Sequence, residues 1–373
     1  MTLTYLELAL TCVAFCVAYA NGANDNFKGV ATLFGSGTTR YRRALFWATA
    51  TTLAGSVAAL FVARELVVRF TGRGLVSDAL AAEPRFATSA AIAAGLTVFW
   101  ATRIGMPIST THALLGGLVG AAFFAGPIVY GQLGTSFVIP LAFSPLVAMG
   151  TAIGAYLVFH RARLRLGVTE ETCLCLGQET LEIVASPCDA AVLQRAQAMT
   201  ARIGSVVTCR QRYGGRVLGV NAEQALDFAH FLSAGAVSFA RGLNDTPKIA
   251  ALLLLVPEIE MTSAIVLVGL VMAVGGLVSA YRVADTMSRH ITPMNPGQGF
   301  TANLVTSTVV IGATALGLPV STTHVSCGAL FGIGTVRGDA EWRTIGKILA
   351  AWIVTLPTAA ILAALTFTLL PRP

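Results

Sequence analysis

Apolar residues in this chain of 373 come in long blocks rather than at the spacing of an amphipathic helix or strand. The blocks cover roughly residues 3–20, 44–63, 86–101, 108–126 and 135–159 and, after a polar stretch, 225–239, 261–281, 300–316, 320–334 and 345–370. A helix needs about 20 apolar residues to cross a bilayer, and several blocks reach that length. Blocks 86–101, 108–126 and 320–334 are shorter. Short segments interrupted by Gly or Pro, at matching places in two halves, are the best sequence pointer to a transport site.

The two halves do match. Residues 21–29 read NGANDNFKG and residues 241–249 read RGLNDTPKI, sharing G-x-N-D-x-x-K. Residues 105–112 read GMPISTTH and residues 317–324 read GLPVSTTH. The first pair lies 220 residues apart and the second 212. Two motifs recurring in one order at near-equal offset are an internal duplication. If blocks 86–126 and 300–334 are re-entrant hairpins, each half crosses the bilayer three times; if every block crosses, five. Either count is odd, so the second half enters from the opposite face. The pattern therefore predicts an all-α polytopic membrane protein with two inverted repeats, broken helices and re-entrant hairpins. Residues 1–160 form the first repeat, 161–224 a small cytoplasmic loop subdomain and 225–373 the second repeat.

Composition narrows the class. The chain is 55% apolar and 12% charged, with a mean hydropathy of +0.73. A soluble domain carries about 25% charged residues, and a disordered chain has low hydrophobicity with high charge, so both are excluded. A net charge of +7 can signal nucleic acid, but no basic stripe with interleaved aromatics is present, and the arginines sit mostly between apolar blocks. Read by the positive-inside rule, the hairpin topology places sixteen basic residues on one side and five on the other when the N-terminus is outside and the central loop inside. That orientation is expected, in a plasma (inner) membrane. The first ten residues lack the basic region of a signal peptide and read as the first membrane segment.

In the central loop, residues 180–184 and 205–209 are β-prone and Gly214-Gly215 reads as a turn. Cys173 and Cys175 lack C-x-x-C spacing and the loop has no histidine, so structural thiols are favoured over a metal site. Cys12, Cys16 and Cys327 lie in apolar blocks as packing residues.

The chemistry sits in the duplicated motifs. A charge at mid-bilayer costs about 2.5–3.5 kcal/mol even on the lenient insertion scale, so Asp25 and Asp245 are functional candidates by default. Ion pairs with Lys28 and Lys248, three residues on, are the structural alternative, and the two readings are compatible. Gly22, Asn24, Asn26, Gly242, Asn244 and Pro247 are expected to break the helices around the aspartates, freeing carbonyls that line a cavity. Carbonyl, Asn24 and Asn244 amide, and Asp25 and Asp245 carboxylate oxygens suit a small hard cation, Na⁺ or a proton on the acid, and not zinc or copper.

Ser109, Thr110, Thr111 and Ser321, Thr322, Thr323 each follow a Gly-x-Pro and open an apolar block. Ser and Thr are N-cap residues, and a helix N-terminus offers free N–H groups and about half a positive charge. Two such tips meeting across a repeat make an oxyanion cradle; plain capping is the alternative. His112 and His324 follow the tips, and a hydrogen-bonded structural role is favoured over a substrate or proton role. Arg103 and Arg241 lie near the motifs as anion contacts or snorkelling helix-end residues. No nucleophile–base spacing or phosphate-binding loop supports catalysis, and no cofactor is expected beyond the coupling ion.

At these residues the chain resembles the PiT family of inorganic phosphate transporters, over both halves and everything except residues 161–224. The resemblance implies an inverted-repeat, often homodimeric carrier in the lipid bilayer that imports inorganic phosphate with Na⁺ or H⁺. It implies that Asn24, Asp25, Asn244 and Asp245 serve ion and phosphate binding and that the six tip hydroxyls hold phosphate. A related sulfate permease branch leaves sulfate as the alternative substrate, and a passive anion channel is the rival of another class. Lys28 is expected to stand where a coupling cation would otherwise bind, lowering the number of ions carried.

Overall fold

The computed structural model describes residues 5–169, 171–183, 194–205, 207–208, 218–289 and 294–371. Among them ten helices of 16 residues or more fall into two sets of five. The first set is α1 (Tyr5–Asp25), α2 (Tyr41–Val62), α3 (Pro84–Arg103), α4 (Thr110–Ala125) and α5 (Ile139–Arg165). The second is α6 (Ala222–Leu253), α7 (Met261–Ser279), α8 (Pro296–Ala315), α9 (Thr322–Arg337) and α10 (Trp342–Leu369). Among the described residues five helical segments are long and apolar enough to cross a membrane: Tyr5–Gly35, Tyr41–Val62, Tyr130–Arg165, Met261–Ser279 and Trp342–Leu369. The polarity is that of a membrane protein. Phe61 (84% exposed), Phe123 (72%) and Ile353 (74%) face outward, while Arg241, Lys248 and Asp25 are each 1% exposed.

The halves interlock through small residues. A Cβ on Gly22 or Gly275 would overlap the Met272 or Tyr19 carbonyl, which fixes α1 against α7. Gly242 and Gly55 approach the Thr52 and Phe239 carbonyls in the same way, fixing α6 against α2. Gly116 and Gly120 lie on the backbone of α10, and Gly328 and Gly332 on that of α5. The four-residue spacing presents both glycines of a pair on one face, so the backbones come close enough for dispersion contact where lipid supplies no hydrophobic drive. Each contact joins a helix of one half to a helix of the other.

The connections into α4 and α9 have one local design. Gly105 and Gly317 adopt left-handed φ values of 71° and 66°, which close α3 and α8 as glycine C-caps. Met106 N–H bonds the Ala101 carbonyl (2.9 Å) and Leu318 N–H the Ala313 carbonyl (2.8 Å). After Pro107 and Pro319, the Ser109 and Ser321 hydroxyls accept from the His112 and His324 N–H groups (3.1 and 3.2 Å). Sharp turn, proline and N-cap thus set two helix tips inside the helical unit.

Two expectations need correction. The break at the first aspartate is present: α1 ends at Asp25, and a turn and a short 3₁₀ helix, Lys28–Val30, follow. The break at the second is absent, because α6 runs from Ala222 to Leu253 with Pro247 inside it. Gly22 and Gly242 lie within helices, where they serve close packing. The chain divides into a helical unit, residues 1–156 and 230–373, and a smaller unit, residues 157–229. The smaller unit holds an antiparallel sheet of order β2-β1-β3, with β1 Thr172–Ile183, β2 Gln194–Ser205 and β3 Leu218–Asn221. β1 therefore covers the described part of the first β-prone stretch. Of the second, Ser205 ends β2 and its hydroxyl caps the Thr208 N–H at 3.2 Å, residues 207–208 are helical, and residues 206 and 209 lie outside the described residues. Gly214-Gly215, Cys188 and Cys209 lie outside the described residues. Cys173 is a buried free thiol and Cys175 is disulfide-bonded, and no group of three metal-ligating side chains occurs among the described residues.

Candidate functional site

The four motifs converge. Asp25 at the end of α1 pairs with Lys28. The same carboxylate accepts from Asn21 Nδ2 (2.9 Å) and from the Thr110 hydroxyl at the tip of α4 (3.2 Å). Asp245 in α6 pairs with Lys248 (3.3 Å) and accepts from the Thr322 hydroxyl at the tip of α9 (3.4 Å). The two halves repeat one arrangement: carboxylate, lysine three residues on, and the first threonine of the tip.

The lysines reach across to the other half. Lys28 Nζ donates to the Asn24 amide oxygen (2.8 Å), the Ile108 carbonyl (2.8 Å) and the Thr323 hydroxyl (2.7 Å). Lys248 Nζ donates to the Val320 carbonyl (2.8 Å) and the Thr111 hydroxyl (2.8 Å). Thr323 in turn donates to the Ile108 carbonyl (2.9 Å) and Thr111 to the Val320 carbonyl (3.4 Å). Each lysine therefore holds the carbonyl before its own tip and the second threonine of the opposite one. All six tip hydroxyls have partners inside the protein: two cap helices, two donate to aspartates and two join lysine to carbonyl.

The asparagines orient this cluster. Asn24 Nδ2 donates to the Thr102 hydroxyl (2.9 Å) and the Met106 carbonyl (3.1 Å). Asn244 Nδ2 donates to the Val320 carbonyl (3.0 Å), and its oxygen accepts from the Thr314 hydroxyl (3.2 Å). Arg241 stands 220 residues after Asn21, at the same repeat position, and the two touch. Its guanidinium donates to Asn21 Oδ1 (3.1 Å) and Asn26 Oδ1 (3.1 Å), with Asp245 at 3.9 Å. Arg103, weighed as an anion contact, is exposed over the Phe99 ring.

Charge follows from this census. Asp25, Asp245, Lys28, Lys248 and Arg241 are all 4% exposed or less. Two carboxylates against three cations leave one surplus positive charge. The tips add to it, since the first N–H groups of α4 and α9 have no intrahelical partner and carry the positive end of the helix dipole. An intramembrane cluster of this kind is one anion short of neutrality.

The His112 and His324 rings are tilted by 40° with centres 4.3 Å apart, and His324 stacks on Trp352 at 3.7 Å. Both line an apolar cavity of about 730 Å³ beside α5 and α10. His112 Nδ1 meets the Ser109 hydroxyl at 3.0 Å.

Sequence reasoning named the aspartates, lysines, asparagines and tips, and left out Asn21, Thr102 and Thr314. A signal for two of them was present: Ala101-Thr102 and Ala313-Thr314 are also 212 residues apart, so the tip motif extends backward by four residues.

The family model described as the phosphate transporter family matches residues 21–363. A Pyrococcus horikoshii protein named as a phosphate permease is 28% identical, covering 96% of each chain. A Rhizobium meliloti protein named as a low-affinity inorganic phosphate transporter is 28% identical, covering 97% of this chain and 96% of its own. A solved structure titled as the sodium-dependent phosphate transporter shares the fold with a TM-score of 0.75, at 20% identity over 98% of this chain and 99% of that one.

Proposed function

The chain belongs to the phosphate transporter family, and from that premise we propose that it imports inorganic phosphate by cation-coupled symport, with alternating access between two inverted repeats. The observation that carries this reading is the buried cluster with one surplus positive charge between two helix tips. Monovalent phosphate neutralises it. The first N–H groups of α4 and α9 and the hydroxyls of Ser109, Thr110, Thr111, Ser321, Thr322 and Thr323 are the donors a phosphate oxygen would claim. Asp25 and Asp245 accept from a protonated phosphate oxygen, and with Asn24 and Asn244 they form the cation side of the site.

Electrical work sets the need for coupling. Moving one negative charge inward against 100 mV costs about 2.3 kcal/mol. One accompanying cation cancels that cost and a second exploits the potential. The cross-repeat bonds Lys28–Thr323 and Lys248–Thr111 hold the tips together, so opening to either face requires exchanging them for bonds to phosphate or water. Uptake of labelled phosphate into proteoliposomes, with Na⁺, H⁺ and sulfate varied separately, tests the reading. We expect saturable uptake that follows an imposed cation gradient and survives excess sulfate. Uptake indifferent to every cation gradient would identify a passive channel, and displacement by sulfate would reassign the substrate.

The sixteen-to-five basic asymmetry supports an orientation with residues 161–224 in the cytoplasm. The Cys175 disulfide opposes it, since disulfides persist in oxidising compartments. Cleavage of residues 157–229 by added protease is expected in inside-out vesicles only; cleavage in intact cells would reverse the assignment.

A further inference from the structure

Oxygens expected to take a coupling cation are already occupied by a lysine in each repeat, with the Asn24 amide oxygen on Lys28 and the Asn244 amide oxygen held by Thr314 instead. Around Lys28 Nζ stand the Asp25 carboxylate, the Asn24 amide oxygen, the Ile108 carbonyl and the Thr323 hydroxyl. Around Lys248 Nζ stand the Asp245 carboxylate, the Val320 carbonyl and the Thr111 hydroxyl. Carboxylate, carbonyl and hydroxyl oxygens from separate elements are the ligand set of a hard metal cation. The three N–H donors of an ammonium match the three oxygens around Lys248, and around Lys28 one N–H is shared between two of the four. Both lysines are buried, 4% and 1% exposed. Tethered three residues from its aspartate, neither can leave with the substrate.

We propose that Lys28 and Lys248 are resident cations that fill two repeat-related oxygen cages, so that this transporter does not bind Na⁺ there and takes up phosphate without it. The proposal rests on the phosphate-symport reading above and narrows its coupling ion to the proton. Charge balance supports it. With both ammoniums in place the cluster already holds one positive charge too many, so a further cation in either cage adds repulsion, whereas an anion removes it. The ammoniums thereby supply the grip on phosphate that bound metal ions could supply, without being carried across the membrane. The solved relative titled as sodium-dependent shares the fold; at these cages the present chain does not fit Na⁺.

Removing a lysine opens its cage. Lys28→Ala and Lys248→Ala each leave an uncompensated carboxylate beside a carbonyl and a hydroxyl, and each variant is expected to acquire a requirement for a small alkali cation. Two readouts are used on the full chain. The first is phosphate uptake into proteoliposomes at fixed pH gradient, with Na⁺ replaced by choline. Wild type should change by less than about twofold, whereas each variant should lose about tenfold in choline and regain most of it in Na⁺ or Li⁺. The second is thermal unfolding in detergent without phosphate. Ligand that binds only the folded state raises the melting temperature with concentration, so Na⁺ should stabilise each alanine variant over choline and leave wild type unmoved. A Na⁺ requirement or specific Na⁺ stabilisation in wild type overturns the proposal. So does failure of Li⁺, Na⁺ and K⁺ alike to rescue or stabilise both variants, including a failure to fold in any of them. If wild type carries no phosphate under any gradient, the transport reading fails, while the unfolding readout still decides the lysine assignment.

Discussion

Asp25→Asn is expected to lower phosphate uptake by at least about a hundredfold, and Asp245→Asn by a similar factor. The buried carboxylate of Asp25 accepts from three side chains: Lys28, Asn21 and Thr110. Asparagine keeps the volume and one acceptor but removes the charge, leaving the Lys28 ammonium buried and unpaired. Breaking one partner of a buried pair costs about 3–5 kcal/mol, and about 1.4 kcal/mol is a factor of ten. Most of that cost falls on the arrangement that sets the α4 tip, because Thr110 and Lys28 both take their direction from this carboxylate. The double variant Asp25→Asn with Lys28→Met separates stability from transport. Removing both charges relieves the unpaired ammonium, so the melting temperature should recover. Uptake should not, since carboxylate and resident ammonium are both gone. Uptake by Asp25→Asn within about tenfold of wild type would show that the carboxylate is structural only.

Much of this site could be read before any coordinates, and the reasons are specific. The duplication placed Asp25 with Asp245 and the two Ser-Thr-Thr tips at fixed offsets, and twofold-related sequence folds to twofold-related contacts: Thr110–Asp25 is matched by Thr322–Asp245. The tips were legible because glycine tolerates a left-handed turn, proline fixes φ and serine caps a helix, and Gly105, Pro107 and Ser109 take those roles in order. Helix continuity at Asp245 was not legible. Pro247 lacks an N–H and usually stops or kinks a helix, but in a membrane interior neighbouring groups re-satisfy the freed carbonyl. The glycines misled for a related reason. Gly22 and Gly242 look like breakers in isolation, and only the carbonyls of Met272 and Thr52, far along the chain, show that close approach is their role. The lysines were legible as local partners three residues from the aspartates, and Lys28 also as a stand-in for a coupling cation. Their second partners, Thr323 for Lys28 and Thr111 for Lys248, lie 295 and 137 residues away and depend on how the halves interlock.

Arg241→Gln should raise the KM for phosphate by about thirty- to a hundredfold while leaving the protein folded. Arg241 is the one member of the charged cluster without a counterpart of like charge, since Asn21 occupies the equivalent position in the first repeat. Without it, Asp25, Asp245, Lys28 and Lys248 sum to zero and the surplus that attracts an anion disappears. At an effective dielectric of about 20, a unit charge about 6–8 Å from the anion contributes about 2–3 kcal/mol, which gives the stated range. Glutamine can still donate to Asn21 Oδ1 or Asn26 Oδ1, so the amide contacts that hold α1 near α6 are partly kept. Arg241→Lys distinguishes charge from geometry. A point-like ammonium keeps the surplus but cannot span Asn21 and Asn26 as the planar guanidinium does at 3.1 Å to each. Its KM should therefore stay near the wild-type value while its melting temperature falls. If Arg241→Lys loses affinity as severely as Arg241→Gln, positioning by the guanidinium fork governs binding. If neither variant loses affinity, phosphate is not held by the surplus charge of this cluster.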